Sequence, residues 1–325
     1  MKKQPRAPKG QPVHGWVVLD KPAGVSSAKA VAIVRRVLNA AKAGHGGTLD
    51  PLASGILPIA LGEATKTVSY VMASTKAYQF TVKWGAETST DDEEGEITYR
   101  SDTLPDAASI TDILPQFTGK ISQIPPAYSA VKVGGRRAYT LARKATAEDR
   151  SDKMPELEAR QIDIFELSLL AARADSADFY VQTGKGAYIR SLARDMGRAL
   201  GSAGYITALR RIQVGKFHEK QAISLDLLEE LSDSAAASHY VMPVLTALDD
   251  IPAFAITTEE ATRLRHGQSI LSQPLSGKPS LKDDEHESGR HLGDDETAIA
   301  VLGDQPVAFI RKSEDGLIPV RVLNL

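Results

Sequence analysis

The chain has 325 residues, with 39 Lys and Arg against 41 Asp and Glu and a formal net charge of -2. At roughly 100–200 residues per domain that length predicts two domains, each long enough to bury a core. The sequence contains no cysteine, which excludes a disulfide framework, cysteine-ligated zinc, an iron–sulfur cluster and a thiolate nucleophile. No stretch approaches the ~18 apolar residues of a membrane-spanning helix. MKKQPRAPKGQP at the start is basic but runs into too few apolar residues for a secretory signal. Residues 1–12 therefore read as a disordered basic tail, and the expected setting is the cytoplasm.

In chain order, GWVVLD (15–20) predicts a short strand that ends at Lys21-Pro22. Ser26 or Ser27 then caps a helix to about Asn39, with Ala30, Val34, Val37 and Leu38 on one face. A Gly-rich stretch, AGHGGTLDPLASG (43–55), precedes the apolar run ILPIAL and a helical segment from about Glu63 to Met72. Tyr78, Phe80, Val82 and Trp84 alternate with polar residues, the pattern of a half-buried strand. Residues 124–145 form a basic excursion with its own Pro and Gly punctuation, suited to gripping a substrate. Strands follow near 161–171 and 178–182. A further strand is expected to end at YIR (188–190), before a helix that stops at Gly201. ALRRIQVGKF (208–217) reads as extended. Beyond Thr246–Pro252 come a short helix, an acidic polar insert and strand-like AIAVL, VAFI and VRVL.

The small net charge hides segregation. Nine basic residues against Asp20 and Asp50 lie in 1–50, six against none in 119–144, and seven against Asp195 alone in 183–216. Acids collect in ETSTDDEEGE (87–96) and in 283–296. If the basic segments converge in space, they could neutralise several phosphates, which makes nucleic acid a candidate partner.

GHGGTLDP lacks both the Gly-Lys-Ser/Thr of a phosphate-binding P-loop and the spacing of a dinucleotide fingerprint. By spacing alone, Asp50 before Pro51 also fits a helix cap with proline at the first helical position. His286 and His291 are the one close histidine pair, in a polar insert. No close Ser/His/Asp grouping points to a hydrolase.

Five blocks in order carry a resemblance: LDKPAGVSS (19–27), GHGGTLDPLASGILPIALGEATK (44–66), KAYQF (76–80), KGAYIRSLARDMG (185–197) and LRR (209–211). Together they resemble bacterial tRNA pseudouridine-55 synthases of the TruB type, over about residues 13–220. The resemblance implies an α+β pseudouridine-synthase fold: a central mixed, mostly antiparallel β-sheet flanked by helices and loops, plus a small C-terminal PUA-like β-barrel. It implies a catalytic domain over 13–248, with the RNA-gripping insertion at about 124–145. An RNA-binding domain over 249–325 would follow, carrying the acidic insert of about 272–296.

The implied activity is isomerisation of uridine 55 in the T loop of tRNA to its C-glycoside, with a secondary role as a tRNA-folding chaperone open. The family needs no cofactor and no metal. The implied partner is tRNA, met by a monomer without guide RNA or partner protein, and no membrane is involved. Asp50 matches the catalytic aspartate; a carboxylate is already ionised at neutral pH and needs no general base. Whether it attacks C1′ of the ribose, attacks C6 of the base, or promotes elimination through a glycal is open. Arg190 matches its arginine partner. Tyr188 matches a tyrosine close to base and aspartate, and Tyr78 the one that stacks on the extruded uracil. His45 matches the histidine that helps displace the target nucleotide, and Leu209 an apolar wall against the base. Core packing is the alternative for Tyr78, Tyr188 and Leu209, and a surface position for Arg190. Lys21 reads as a structural cation near the backbone.

Overall fold

The computed structural model describes residues 10–148, 153–232, 235–271, 292, 296–314 and 316–325. The expected tail over 1–9 and nearly all of the acidic insert, with His286 and His291, lie outside the described residues. Gln11 is tied to the end of the first helix, its amide donating to the Asn39 carbonyl at 2.6 Å.

The chain opens with β1 (Gly15–Lys21), α1 (Ser27–Val37), β2 (Ala43–His45) and β3 (Ser54–Leu61). A 3-10 turn at Gly62–Lys66 leads to α2 (Val68–Ala73), β4 (Lys76–Trp84), β5 (Ala86–Thr88) and β6 (Ile97–Arg100). Then come α3 (Ala107–Ile113), β7 (Gly119–Gln123), the small hairpin β8 (Lys132–Val133) and β9 (Arg136–Arg137), and α4 (Ala138–Ala147). The long strands β10 (Arg160–Ala172) and β11 (Ser176–Thr183) precede α5 (Ile189–Ala199) and β12 (Gly204–Val214). Short β13 (Phe217–His218), β14 (Ile223–Ser224) and α6 (Leu225–Glu230) complete this part.

One sheet runs in the order β14-β1-β3-β12-β4-β11-β10-β7, with β2 against β3 and β13 against β12. Only the β1–β14 and β3–β12 pairs are parallel, so the sheet is mixed and mostly antiparallel. The apolar runs of β1 and β3 do not alternate with polar residues because both of their faces are buried. Val17, Leu19, Leu57, Ile59 and Leu61 point into the main core with α1 and α5. Trp16, Val18, Ile56 and Ala60 point into a second core on the other face.

That second core is closed by the C-terminal part. After Pro252 come β15 (Ala253–Ala255), α7 (Thr258–Arg265), β16 (Thr297–Leu302), β17 (Gln305–Ser313) and β18 (Gly316–Val322). They form a separate sheet of four strands, β15-β16-β17-β18. Ile299, Phe309 and Leu323 share the core of Trp16, Val18 and Phe217. The Tyr70 ring stacks on Phe309 with centroids 4.8 Å apart, and Lys66 Nζ donates to the Val322 carbonyl at 2.8 Å. The small β unit is thus cemented to the sheet that carries the Gly-rich loop.

Two local expectations change. Tyr188 is the extended cap residue of α5 and the helix starts at Ile189, so YIR is a helix entry rather than a strand end. No helix follows Asp50-Pro51; a turn closed by Ala53 N–H on the Asp50 carbonyl at 3.1 Å leads into β3. Within the acidic run at 87–96, Asp91 and Asp92 are buried against α5. Among the described residues, no helix is long and apolar enough to cross a membrane.

Candidate active site

The Gly-rich loop between β2 and β3 is held from below by side chains that satisfy its backbone. Arg211, 2% exposed, donates from Nε to the Ile56 carbonyl at 2.8 Å, from Nη1 to Thr48 at 3.2 Å and from Nη2 to Gly47 at 3.1 Å. Ser27 Oγ accepts from Leu49 N–H at 2.9 Å and donates to the Leu49 carbonyl at 2.8 Å. Lys21 Nζ donates to the carbonyls of Pro22 at 2.8 Å, Val25 at 2.7 Å and Pro51 at 3.3 Å. Gly55 has φ +102°, and a Cβ there would stand 2.2 Å from the Arg211 carbonyl oxygen, so glycine is required where β3 meets β12. With every strand of this loop pinned, the Asp50 side chain has a fixed origin.

Its partner enters from the first turn of α5. Arg190 Nε and Nη2 both lie 2.9 Å from Asp50 Oδ2. The guanidinium also donates from Nη1 to the Thr90 carbonyl at 2.7 Å and from Nη2 to the Tyr128 carbonyl at 3.1 Å. Asp92 Oδ2 stands 3.3 Å from Nη1. Arg190 is 5% exposed and Asp50 35%, so the cation is locked inside while the carboxylate faces a cavity. Among the described residues Asp50 Oδ1 has no hydrogen-bond partner, and that oxygen is free for a ligand. Burial raises the Asp92 carboxyl above its usual range, and lifts neighbouring Asp91 to about 6 despite Arg194 at 2.9 Å.

Asp50, Arg190, Tyr78, Tyr188 and Leu209 line one cavity of about 280 Å³, with Lys76 and Arg211. Tyr78 and Leu209 come from adjacent strands: in the β4–β12 register Tyr78 lies opposite Arg211, and Leu209 opposite Phe80. Both belong to the main core as well, so each packs in the core while also lining the cavity. Tyr188 is fixed by Gln123, which accepts from its N–H at 2.8 Å and donates to its carbonyl at 3.1 Å. Burial raises the Tyr188 phenol pKa, and Asp50 adds to the rise, against the nearby Ser129 hydroxyl. Among the described residues that hydroxyl reaches hydrogen-bond geometry with no partner. His45 is not in this cavity. It lines an adjoining one of about 520 Å³ with Arg137, Tyr139, Arg143, Asp50 and Arg190. Its pKa is lowered by burial and then by Arg211, and among the described residues its buried Nδ1 has no hydrogen-bond partner.

Sequence alone does not point to Asp92, Arg211, Lys76 or Ser129. Asp92 sits in a run that looks like a solvated face, and the third residue of LRR has no visible task until Arg211 is seen under the loop. Lys76 Nζ donates to the carbonyls of Val71 at 3.4 Å, Met72 at 2.6 Å and Ser74 at the end of α2. Among the described residues no group of His, Asp and Glu is arranged to hold a metal ion.

The family model of the TruB family pseudouridylate synthase N-terminal domain matches residues 35–189. That of the tRNA pseudouridylate synthase B C-terminal domain matches residues 190–251. A Rhodospirillum rubrum protein named tRNA pseudouridine synthase B is 47% identical over 321 residues, covering 98% of this chain and 99% of the relative. A Bradyrhizobium diazoefficiens protein of the same name is 49% identical over 319 residues, covering 96% of this chain and 86% of that one. Among solved structures, a Cbf5-Nop10-Gar1 complex aligns with TM-score 0.68 and 25% identity, over 96% of this chain and 84% of the matched one. With near full-length identity of this order, the chain belongs to the TruB family of pseudouridylate synthases.

Proposed function

We propose that this protein converts uridine 55 in the T loop of tRNA to pseudouridine, acting in the cytoplasm as a monomer on tRNA alone. The reaction breaks the N1–C1′ bond and makes a C5–C1′ bond; C5 loses a proton and N1 gains one, so the atoms balance without an external reactant. The observation that carries the reading is Asp50: one carboxylate oxygen is gripped by buried Arg190, and the other is free beside a cavity walled by two phenols. The pairing holds the carboxylate aimed, and a charge-assisted contact of this kind contributes roughly 1.5–3 kcal/mol. Attack at C1′, attack at C6 and elimination through a glycal each use that free oxygen.

Tyr78 supplies the stacking surface for the extruded uracil. Extrusion costs a few kcal/mol, and a stacking ring returns ~1–3 kcal/mol. Leu209 walls the base, Tyr188 stands beside base and carboxylate, and His45 meets the strand next to the flipped nucleotide. The catalytic domain spans 13–248, with 124–145 closing over the RNA; 249–325 is a PUA-like unit that adds RNA affinity. The names of the bacterial relatives support tRNA as substrate.

The test is Asp50→Asn on an unmodified tRNA transcript, with pseudouridine located by carbodiimide-blocked primer extension. The wild type is expected to give a stop at position 55, and the variant none while still binding tRNA. Substantial turnover by the variant would remove Asp50 from the chemistry.

A further inference from the structure

Ser129 is 3% exposed, and among the described residues its Oγ makes no geometrically sound hydrogen bond, although the Tyr188 phenol is near. A buried hydroxyl without a partner is an unfavourable arrangement that a ligand can relieve. Its position says which ligand. Six residues border both cavities: Thr48, Leu49, Asp50, Ser129, Ala130 and Arg190. The smaller cavity offers an aromatic and apolar lining suited to a base, and the larger one His45, Arg137 and Arg143, suited to phosphates. A nucleotide with its base in the first and its phosphate in the second has its sugar at the shared rim. Three polar side-chain groups at that rim are free: Asp50 Oδ1, the hydroxyl of exposed Thr48, which water can satisfy, and the Ser129 hydroxyl, which water does not reach.

The backbone around Ser129 is held from two sides. Its carbonyl accepts from Tyr139 N–H at 2.9 Å, and the Val131 carbonyl two residues on accepts from Ala138 N–H at 2.7 Å. The preceding carbonyl, of Tyr128, accepts from Arg190, while the Tyr128 hydroxyl is 2.7 Å from Thr146 Oγ1 on α4. The hydroxyl is thus pre-positioned between the basic insertion and the Asp50–Arg190 pair.

We propose that Ser129 binds the flipped nucleotide directly, its hydroxyl hydrogen-bonding the ribose 2′-hydroxyl. This rests on the pseudouridylation reading above and adds a substrate contact to it. The contact holds C1′ against Asp50, so its loss slows isomerisation more than it weakens RNA binding, which phosphates dominate.

The test compares wild type with Ser129→Ala and with Ser129→Cys, which keeps the volume and weakens the donor. Single-turnover rates on a T stem-loop RNA should fall about tenfold in both, the scale of one hydrogen bond, with dissociation constants rising no more than several-fold. The melting temperature of Ser129→Ala should not drop, since an orphaned group is removed. A second readout uses the Asp50→Asn background, comparing affinity for RNA with uridine or 2′-deoxyuridine at the target. The deoxy RNA should bind several-fold more weakly, and Ser129→Ala should erase that preference. Undiminished rates on an active wild type would overturn the proposal and leave the function intact. A rate loss with the ribose preference retained would also overturn it, and assign the hydroxyl to orienting Tyr188. A wild type that forms no pseudouridine would instead sink the reading beneath.

Discussion

Two segments of nearly equal basic content, 119–144 and 183–216, take opposite roles in the folded chain. In the second, almost every cation is spent inside the molecule. Arg190 meets Asp50 and Asp92, Arg194 meets Asp91 and Asp195, and Arg198 forms a two-pronged pair with Glu87. Arg210 meets Asp20 and Glu219, Lys216 lies 3.9 Å from Asp250, and Arg211 is consumed by loop carbonyls. In the first, Lys120, Lys132, Arg136 and Arg137 are exposed and in no ion pair among the described residues. Charge counted along the chain therefore overstates the phosphate-binding surface. Of these two, the segment with one more cation is the scaffold of the carboxylate site, and the 119–144 segment is the one free to meet a polyanion.

The sharpest way to break that division is Arg190→Ala. It leaves Asp50 unaimed and Asp92 buried without its cation, a loss expected to destabilise the fold by about 3–5 kcal/mol. Isomerisation measured on protein that remains folded should fall by ~10²–10³-fold, as for removal of a preorganised electrostatic partner. Near-normal rates would mean that Asp50 is positioned by its loop alone.

A smaller effect tests the other half. Arg136→Ala with Arg137→Ala should lower the slope of log affinity against log salt by about 2 if each meets one phosphate, while single-turnover rates at saturating RNA hold. Arg198→Ala, equally a loss of charge, should leave the slope alone. Equal changes in slope from both would show that paired and unpaired cations contribute alike.

Much of this was legible in the sequence, and the failures have a common cause. The order of strands and the Gly-rich loop follow from local signals: β-branched runs, Tyr78–Trp84 alternation, Gly and Pro punctuation. Asp50 and Arg190 were matched by motif, yet only the fold brings them together across 140 positions. The destination of each charge was not legible, because the partners of Arg190, Arg198 and Arg210 lie about 100 or more positions away. The YIR segment misled because an extended cap residue and the end of a strand look alike until the next turn closes.

Among the internal cations one further contrast remains, between arginines on carboxylates and lysines on carbonyls. A guanidinium does not deprotonate in a protein, and pairing with Glu87 raises Arg198 further, so it gives no alkaline titration. Lys76 does: burial, followed by repulsion from Arg211, lowers it from 10.5 to about 8. Its folded pKa lies below the unfolded one, so between pH 8 and 10.5 the unfolded chain holds more protons and stability rises with pH across that window. Lys76→Met should reduce the slope of unfolding free energy against pH there by close to one proton, read from denaturant midpoints at stepped pH. Lys21, also lowered to about 8 by burial, keeps its own share of the rise. An unchanged slope in Lys76→Met would mean that the carbonyls of Val71, Met72 and Ser74 hold the ammonium charged throughout, making it the lysine counterpart of the paired arginines.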